Sequence, residues 1–165
     1  MKTKKIALLG ISLSLAMILS FVESLIPPLV AVPGIKIGLA NLVIVFLLFK
    51  TGVKYAAAVS LVRVILSSML FGNLQVFVFS FAGAILSLAG MAIMKKTNLF
   101  SIITVSVCGG ILHNIGQIIV AAVWTSTPEV VYYLPVLLVS GTLAGILIGI
   151  VSGIVVKKLD NMKLD

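Results

Sequence analysis

Residues 25–36 read LIPPLVAVPGIK and residues 37–49 read IGLANLVIVFLLF, two adjoining apolar stretches of which only the second suits a helix. The first contains four helix breakers, Pro27, Pro28, Pro33 and Gly34. The second would form about 20 Å of helix, too short to cross a hydrocarbon core of about 30 Å alone. We therefore expect 25–36 to dip into the membrane as a non-helical loop that is buried or lines a cavity. A plain extracellular loop is the alternative.

The rest of the chain is equally apolar. Of its 165 residues, 61% are hydrophobic and 10% charged, and the mean hydropathy is +1.33. These values are typical of a polytopic membrane protein and do not suit a water-soluble one. Long continuous apolar runs favour helices over barrel strands. Together with the helix at 37–49, they predict an all-α integral membrane protein of six transmembrane helices in one domain, 1–165, with the other spans at about 6–22, 53–71, 74–94, 99–124 and 131–156.

The basic residues predict an orientation. The chain has 12 Lys and Arg against four Asp and Glu, a net charge of +8, but they stand between apolar runs rather than on one face, which argues against nucleic acid. Lys and Arg accumulate in cytoplasmic loops. With both termini inside, all but Lys36 and Arg63 lie on the inner side: Lys2, Lys4, Lys5, Lys50, Lys54, Lys95, Lys96, Lys157, Lys158 and Lys163.

Arg63 is predicted to lie near mid-membrane, about 13 Å of helix rise beyond Lys54. Burying its charge costs at least about 2.5 kcal/mol, so it should face the bundle interior and have a partner. Glu23, at the outer end of the first span, is the intramembrane carboxylate available for an ion pair. A structural Arg–Glu clamp and a contact to substrate both remain open.

Two further groups of polar residues complete the candidate site. His113, Asn114 and Gln117 fall within the fifth span, where facing lipid would be costly, so they should face inward as interhelical contacts, a ligand site or a proton carrier. The segment with Gly34, Lys36, Gly38 and Asn41 offers glycines for close approach and a positive charge at a helix start. Together they predict an outward-opening site for an anionic or acceptor-rich small molecule. The chain's one histidine and one cysteine predict neither a metal nor a cofactor.

Four glycines recur every fourth residue on the sixth span, Gly141, Gly145, Gly149 and Gly153. Such spacing lines one helix face without side chains and lets another helix approach closely. We interpret them as packing residues and not as part of a ligand site.

Three stretches carry a resemblance to a known family: ESLIPP at 23–28, PGIKIGLANL at 33–42 and HNIGQ at 113–117. They resemble the small bacterial membrane proteins called Gx transporters, also labelled heptaprenyl diphosphate synthase component I. That family is similar to the substrate-binding S components of energy-coupling factor transporters. The resemblance implies a six-helix bundle in the bacterial plasma membrane that captures a small precursor, and docking on a coupling subunit through small residues of the first helix, here Ser12/Ala16 or Gly10/Ser14.

The enzyme name in the family label does not agree with the residues. Prenyl diphosphate synthases bind magnesium diphosphates through aspartate-rich clusters, whereas the only aspartates are Asp160 and Asp165 near the C-terminus. No Gly-Lys dipeptide is present, so the chain has no Walker A loop and an ATPase would be another subunit. We expect no catalytic activity.

The sequence favours a transporter or substrate-capture subunit, with a small molecule, the lipid bilayer and coupling or ATPase subunits as partners. A non-catalytic membrane subunit of an isoprenoid, heptaprenyl diphosphate or quinone pathway, bound to a soluble prenyl synthase, is the alternative. A small proton- or ion-coupled carrier is a third hypothesis.

Overall fold

A computed structural model describes residues 2–26, 38–126 and 128–159. This part of the chain is helical and contains no strand. The helices are α1 (Lys2–Leu25), α2 (Asn41–Lys50), α3 (Val53–Phe71), α4 (Leu74–Thr97), α5 (Ile102–Thr125) and α6 (Leu134–Lys158), with a 3-10 turn at Pro128–Tyr133 before α6. The all-α prediction is confirmed.

Five of these helices are long and apolar enough to cross a membrane: α1, α3, α4, α5 and α6. The second predicted span is shorter than expected, because α2 has 10 residues and begins at Asn41 instead of residue 37. Gly38 has a φ of +76° and starts a turn through residues 39 and 40, which delays the helix. At about 15 Å, α2 reaches roughly halfway across a bilayer core.

Side-chain caps define several helix ends. The Asn73 side chain accepts a hydrogen bond from the Val76 N–H at 2.9 Å and starts α4. Ser101 does the same for the Thr104 N–H at 3.2 Å, so α5 begins at Ile102, three residues after the predicted start at 99. Asn98, with a φ of +54°, ends α4.

The short helix α2 lies in the middle of the bundle. Its six consecutive residues 43–48 are all buried, which leaves no polar or lipid-facing side over this stretch. It packs against α1, α3 and α6 and touches α5. The Ser152 hydroxyl of α6 donates to the Leu42 carbonyl at 3.1 Å and fixes the first turn of α2. Because α2 stops halfway, the bundle has a central helix at one end only.

The helix α5 packs between α4 and α6 in the two most extensive helix contacts of the bundle. A Cβ at Gly145 would lie 2.6 Å from the Val107 Cα, and one at Gly149 would lie 2.7 Å from the Ile103 Cα, so these glycines touch backbone directly. A Cβ at Gly141 would likewise lie 2.9 Å from the Gly110 carbonyl oxygen. This face of α6 therefore needs residues without side chains.

Gly153 departs from the predicted packing face, because a Cβ there would meet nothing within 4 Å. Along the antiparallel pair, Gly141, Gly145 and Gly149 face successively earlier residues of α5, and Gly149 already faces Ile103. Gly153 lies one turn further, beyond the first residue of α5. The contact ends because its partner helix has ended.

Lysines bind helix ends together at one end of the bundle. The Lys50 ammonium donates to the Leu159 carbonyl at 2.6 Å, and the Lys95 ammonium donates to the Leu48 carbonyl. The C-terminal ends of α2, α4 and α6 therefore meet at what we call the lysine-rich end. Cations at helix C-termini are also favoured by the helix dipole.

Candidate functional site

A cavity extends from the end of the bundle opposite the lysine-rich end, past the N-terminus of α2 and alongside this helix, where Val45, Met91 and Ser106 line it. Its volume is about 70 Å³. One water needs about 10–15 Å³ on this scale, so the space accepts several waters or a small ligand. The lining comes from all six helices, and its polar members are Ser20, Glu23, Ser24, Asn41, Arg63, Ser67, Ser80, Ser87, Ser106, His113 and Asn114. The part of the cavity beyond Asn41 exists because α2 fills only half of the bundle's length.

Arg63 lies at the level where α2 begins. It is about 15 Å of helix rise from the start of α3, and the first residue of α2 is about 14 Å from that helix's end. Its side chain lines the cavity, and its Nε atom is buried without a hydrogen-bond partner among the described residues. The charge of Glu23 acts on it from α1. A buried guanidinium donor thus faces a cavity in place of a neighbouring helix.

Glu23 connects α1 to the chain that enters α2. Its Oε1 atom accepts a hydrogen bond from the Gly38 N–H. The N-cap position of α2, Ala40, provides no side-chain cap, so the carboxylate satisfies a backbone donor near the helix start. A Cβ at Gly38 would lie 3.2 Å from Asn41 Nδ2, and its positive φ also disfavours any other residue. Glu23 and Gly38 therefore shape this wall of the cavity.

The three polar residues of α5 have different environments. His113 lines the cavity and packs its ring against Gly83, where an added Cβ would come within 2.9 Å of the imidazole. Asn114 is buried and donates to the Leu137 carbonyl of α6 at 2.6 Å, so it joins two helices as well as lining the cavity. Gln117 is buried but is not in the lining. The structure brings Glu23, Gly38, Asn41, Arg63, His113 and Asn114 to one cavity.

Sequence reasoning missed the serines of the lining. Ser67 is one turn from Arg63 on α3, Ser20 and Ser24 are one turn apart on α1, and Ser80 and Ser87 are two turns apart on α4. Each spacing places the hydroxyls on one helix face. A search for hydroxyl residues one turn from Arg63 or Glu23 identifies Ser67 and Ser20, but not the serines of α4 and α5. Phe71 and Met91 carry no comparable signal, because aromatic and thioether side chains are also common at lipid-facing positions.

Several predicted residues lie outside the described residues. These are the loop residues Pro27, Pro28, Pro33 and Gly34, together with Lys36 and the C-terminal Asp160, Lys163 and Asp165. Within the described ranges, no three His, Cys, Asp or Glu side chains are grouped so that they could hold a metal ion.

A family model described as heptaprenyl diphosphate synthase component I matches residues 12–155, most of the chain. The chain belongs to this family. Neither curated proteins nor solved structures gave a match. The resemblance noted in the sequence is thus confirmed for the component I family, and the chain is an all-helical membrane protein of that family.

The first helix of this component I protein has two pairs of small residues with different surroundings. Ser12 and Ala16 are 4% and 0% exposed and pack inside the bundle. Gly10 and Ser14 are exposed, and a Cβ on Gly10 would meet nothing within 4 Å. Of the two pairs, only Gly10 and Ser14 are accessible to a helix of another subunit.

Proposed function

We propose that the protein is a membrane-embedded capture subunit that binds a small anionic or acceptor-rich molecule in the cavity above α2 and delivers it for transport. The observation that carries this proposal is Arg63, whose buried Nε faces the cavity without a hydrogen-bond partner among the described residues. A guanidinium at such depth costs at least about 2.5 kcal/mol unless something compensates its charge. A bound acceptor would provide that compensation.

The polarity of the lining supports a ligand of low net charge. In the described part of the lining, one guanidinium faces one carboxylate, and the Glu23 carboxylate is already engaged by the Gly38 N–H. The remaining polar lining is dominated by hydroxyl groups, which both donate and accept hydrogen bonds. A monoanion with its acidic group on Arg63 and further hydroxyl or carbonyl oxygens toward the serines fits this arrangement.

Transport would need further subunits. The similarity to S components supports an energy-coupling module with its own ATPase, and the exposed Gly10 and Ser14 on α1 suit close contact with a helix of that module. The positive-inside asymmetry supports an opening of the cavity to the outside of a bacterial plasma membrane.

The proposal is tested by identifying the molecule that co-purifies. The chain is isolated in mild detergent from native membranes as wild type, Arg63→Ala, Arg63→Lys and the control Lys54→Ala, which removes an exposed cation. Small molecules released by denaturation are measured by mass spectrometry. We expect one anionic compound in wild type and control, reduced at least about tenfold in Arg63→Ala, because hydrogen bonds to charged groups contribute about 1.5–3 kcal/mol. Arg63→Lys should retain little of the compound, because a lysine ammonium group does not reproduce the paired N–H donors of a planar guanidinium.

A double-mutant cycle distinguishes this site from a structural clamp. If Arg63 only holds Glu23, then Arg63→Ala, Glu23→Ala and the double variant should lower thermal stability equally. That result, or full retention of the compound by folded Arg63→Ala, contradicts the proposal.

The family description favours a second candidate, a non-catalytic membrane subunit of a prenyl diphosphate pathway. In this case a soluble prenyl synthase should co-purify from native membranes, and an isoprenoid should occupy the cavity. Co-purification of an ATPase pair with a polar monoanion instead favours the capture subunit. The same preparations therefore decide between the two.

A further inference from the structure

A second concave site lies at the lysine-rich end and shares no lining residue with the cavity described above, although Met91 of that cavity and Ala92 of the groove are neighbours on α4. It is a broad groove of about 490 Å³ between the turn that joins α2 to α3 and the end of α4. Its lining consists of Gly52, Val53, Ala92, Ile93, Lys95, Lys96 and Asn98. None of these residues belongs to the proposed capture site.

The groove has a charged rim and an apolar wall. Lys96 is exposed, and Lys95 uses one N–H on the Leu48 carbonyl, which leaves two of its three donors for another acceptor. Lys95 is further held in place by the Phe49 ring, whose centroid is 5.5 Å from its ammonium. The wall includes Ile93, which is 68% exposed, and Val53, which is 40% exposed. Two cations therefore stand directly beside uncovered apolar surface.

This combination matches an amphipathic anion better than a soluble one. A free phosphate would satisfy the lysines but leave Ile93 and Val53 uncovered. A phospholipid satisfies both, because its phosphate meets the ammonium groups while its acyl chain covers the apolar wall. Both lysines lie in the last turn of a helix long and apolar enough to span the membrane, which is where headgroups are found.

We propose that this groove is a binding site for an anionic phospholipid, with its phosphate on Lys95 and Lys96 and its acyl chain on Val53 and Ile93. Basic pockets between transmembrane helices are known to hold anionic headgroups, and each nearby lysine contributes to the attraction. The bound lipid would cover the junction where Lys95 fastens α4 to α2.

The experiment measures lipid binding to the purified chain in neutral detergent by native mass spectrometry, with phosphatidylglycerol and phosphatidylcholine of equal chain length. Lys96→Gln removes one rim charge and leaves the Lys95 bond intact. Lys158→Gln is the matched control, because Lys158 is also exposed and also lies in the last turn of its helix. Ile93→Ser tests the wall, with Leu143→Ser on α6, 59% exposed, as its control.

We expect wild type to bind one phosphatidylglycerol at least about fivefold more tightly than phosphatidylcholine, with this preference reduced about fivefold in Lys96→Gln and unchanged in Lys158→Gln. Ile93→Ser should weaken both lipids, and Leu143→Ser neither. Equal binding of the two lipids by wild type, or equal effects of the two lysine variants, would overturn the proposal. So would displacement of phosphatidylglycerol by millimolar inorganic phosphate without any effect of Ile93→Ser, which would indicate a soluble-anion site.

Discussion

Arg63 and Glu23 illustrate how two charges in one cavity take different roles. Glu23 is bound to the Gly38 backbone and so acts on the path of the chain into α2. Arg63 has a buried nitrogen without a protein partner in the described part of the chain and faces the cavity. The sequence predicted that both residues lie within the membrane. It did not predict which of the two roles each residue has.

The role of Glu23 predicts a difference between two substitutions. Glu23→Gln keeps a carbonyl oxygen that accepts from the Gly38 N–H, whereas Glu23→Ala leaves that donor unsatisfied. We expect Glu23→Ala to lose about 1 kcal/mol of stability, the lower end of the cost of an unpaired donor, because the Gly38 N–H is only partly buried, and Glu23→Gln clearly less. Thermal unfolding of the purified chain in one detergent measures both. Equal losses would mean that the charge of Glu23, and not its hydrogen bond, is what the fold needs.

At the scale of elements, the short helix α2 creates the site and the glycines of α6 hold the wall beside it. The breakers before residue 38 and the short apolar run after it predicted an incomplete second span, and the structure places the cavity above that incomplete helix. Gly141 and Gly145 contribute to the lining and to the contact with α5 at once. These two glycines, which the sequence analysis assigned to helix packing alone, therefore also line the candidate site.

The close contact of α5 and α6 predicts opposite results for two glycines of one series. Gly145→Ala puts a methyl group 2.6 Å from the Val107 Cα, which forces two backbones apart and should cost about 1–3 kcal/mol. Gly153→Ala has open space and a better helix former, so its stability should stay unchanged or rise by up to about 1 kcal/mol. Denaturation midpoints of the two variants under identical conditions test this. A loss of stability in Gly153→Ala equal to that in Gly145→Ala would contradict the packing described.

At the scale of the whole molecule, composition and apolar runs predicted the helical class and the approximate position of each of the six α-helices in the described ranges. Boundaries were less accurate where a local interaction set them, as with the Ser101 cap of α5 and the turn at Gly38 before α2. The sequence predicted that Glu23, Arg63 and His113 belong to one site, whereas the other residues of the lining depended on helix packing, which a single sequence does not contain. The hydroxyl lining was missed because serine is equally suited to close helix contacts.

Lysine placement provides the remaining prediction, the orientation of the bundle. The ends of α2, α4 and α6 meet through the Lys50 and Lys95 ammonium groups, so these helices end on the same side. The positive-inside rule predicts that this side is cytoplasmic. Because Lys50 and Lys95 hold carbonyl groups, exposed neighbours are better reporters.

In a Cys108→Ala background, single cysteines replace Lys54, Lys96, Lys158 or Glu129, all of which are exposed. An impermeant maleimide should label only the Glu129 position in intact cells and all four positions after lysis. Labelling of the Lys96 position in intact cells would reverse the orientation. Lys54 lies just after the turn that follows α2, and Lys158 lies at the end of α6. Labelling of these two positions from opposite sides would contradict the six-span prediction, because α2 and α6 would then not end on the same side.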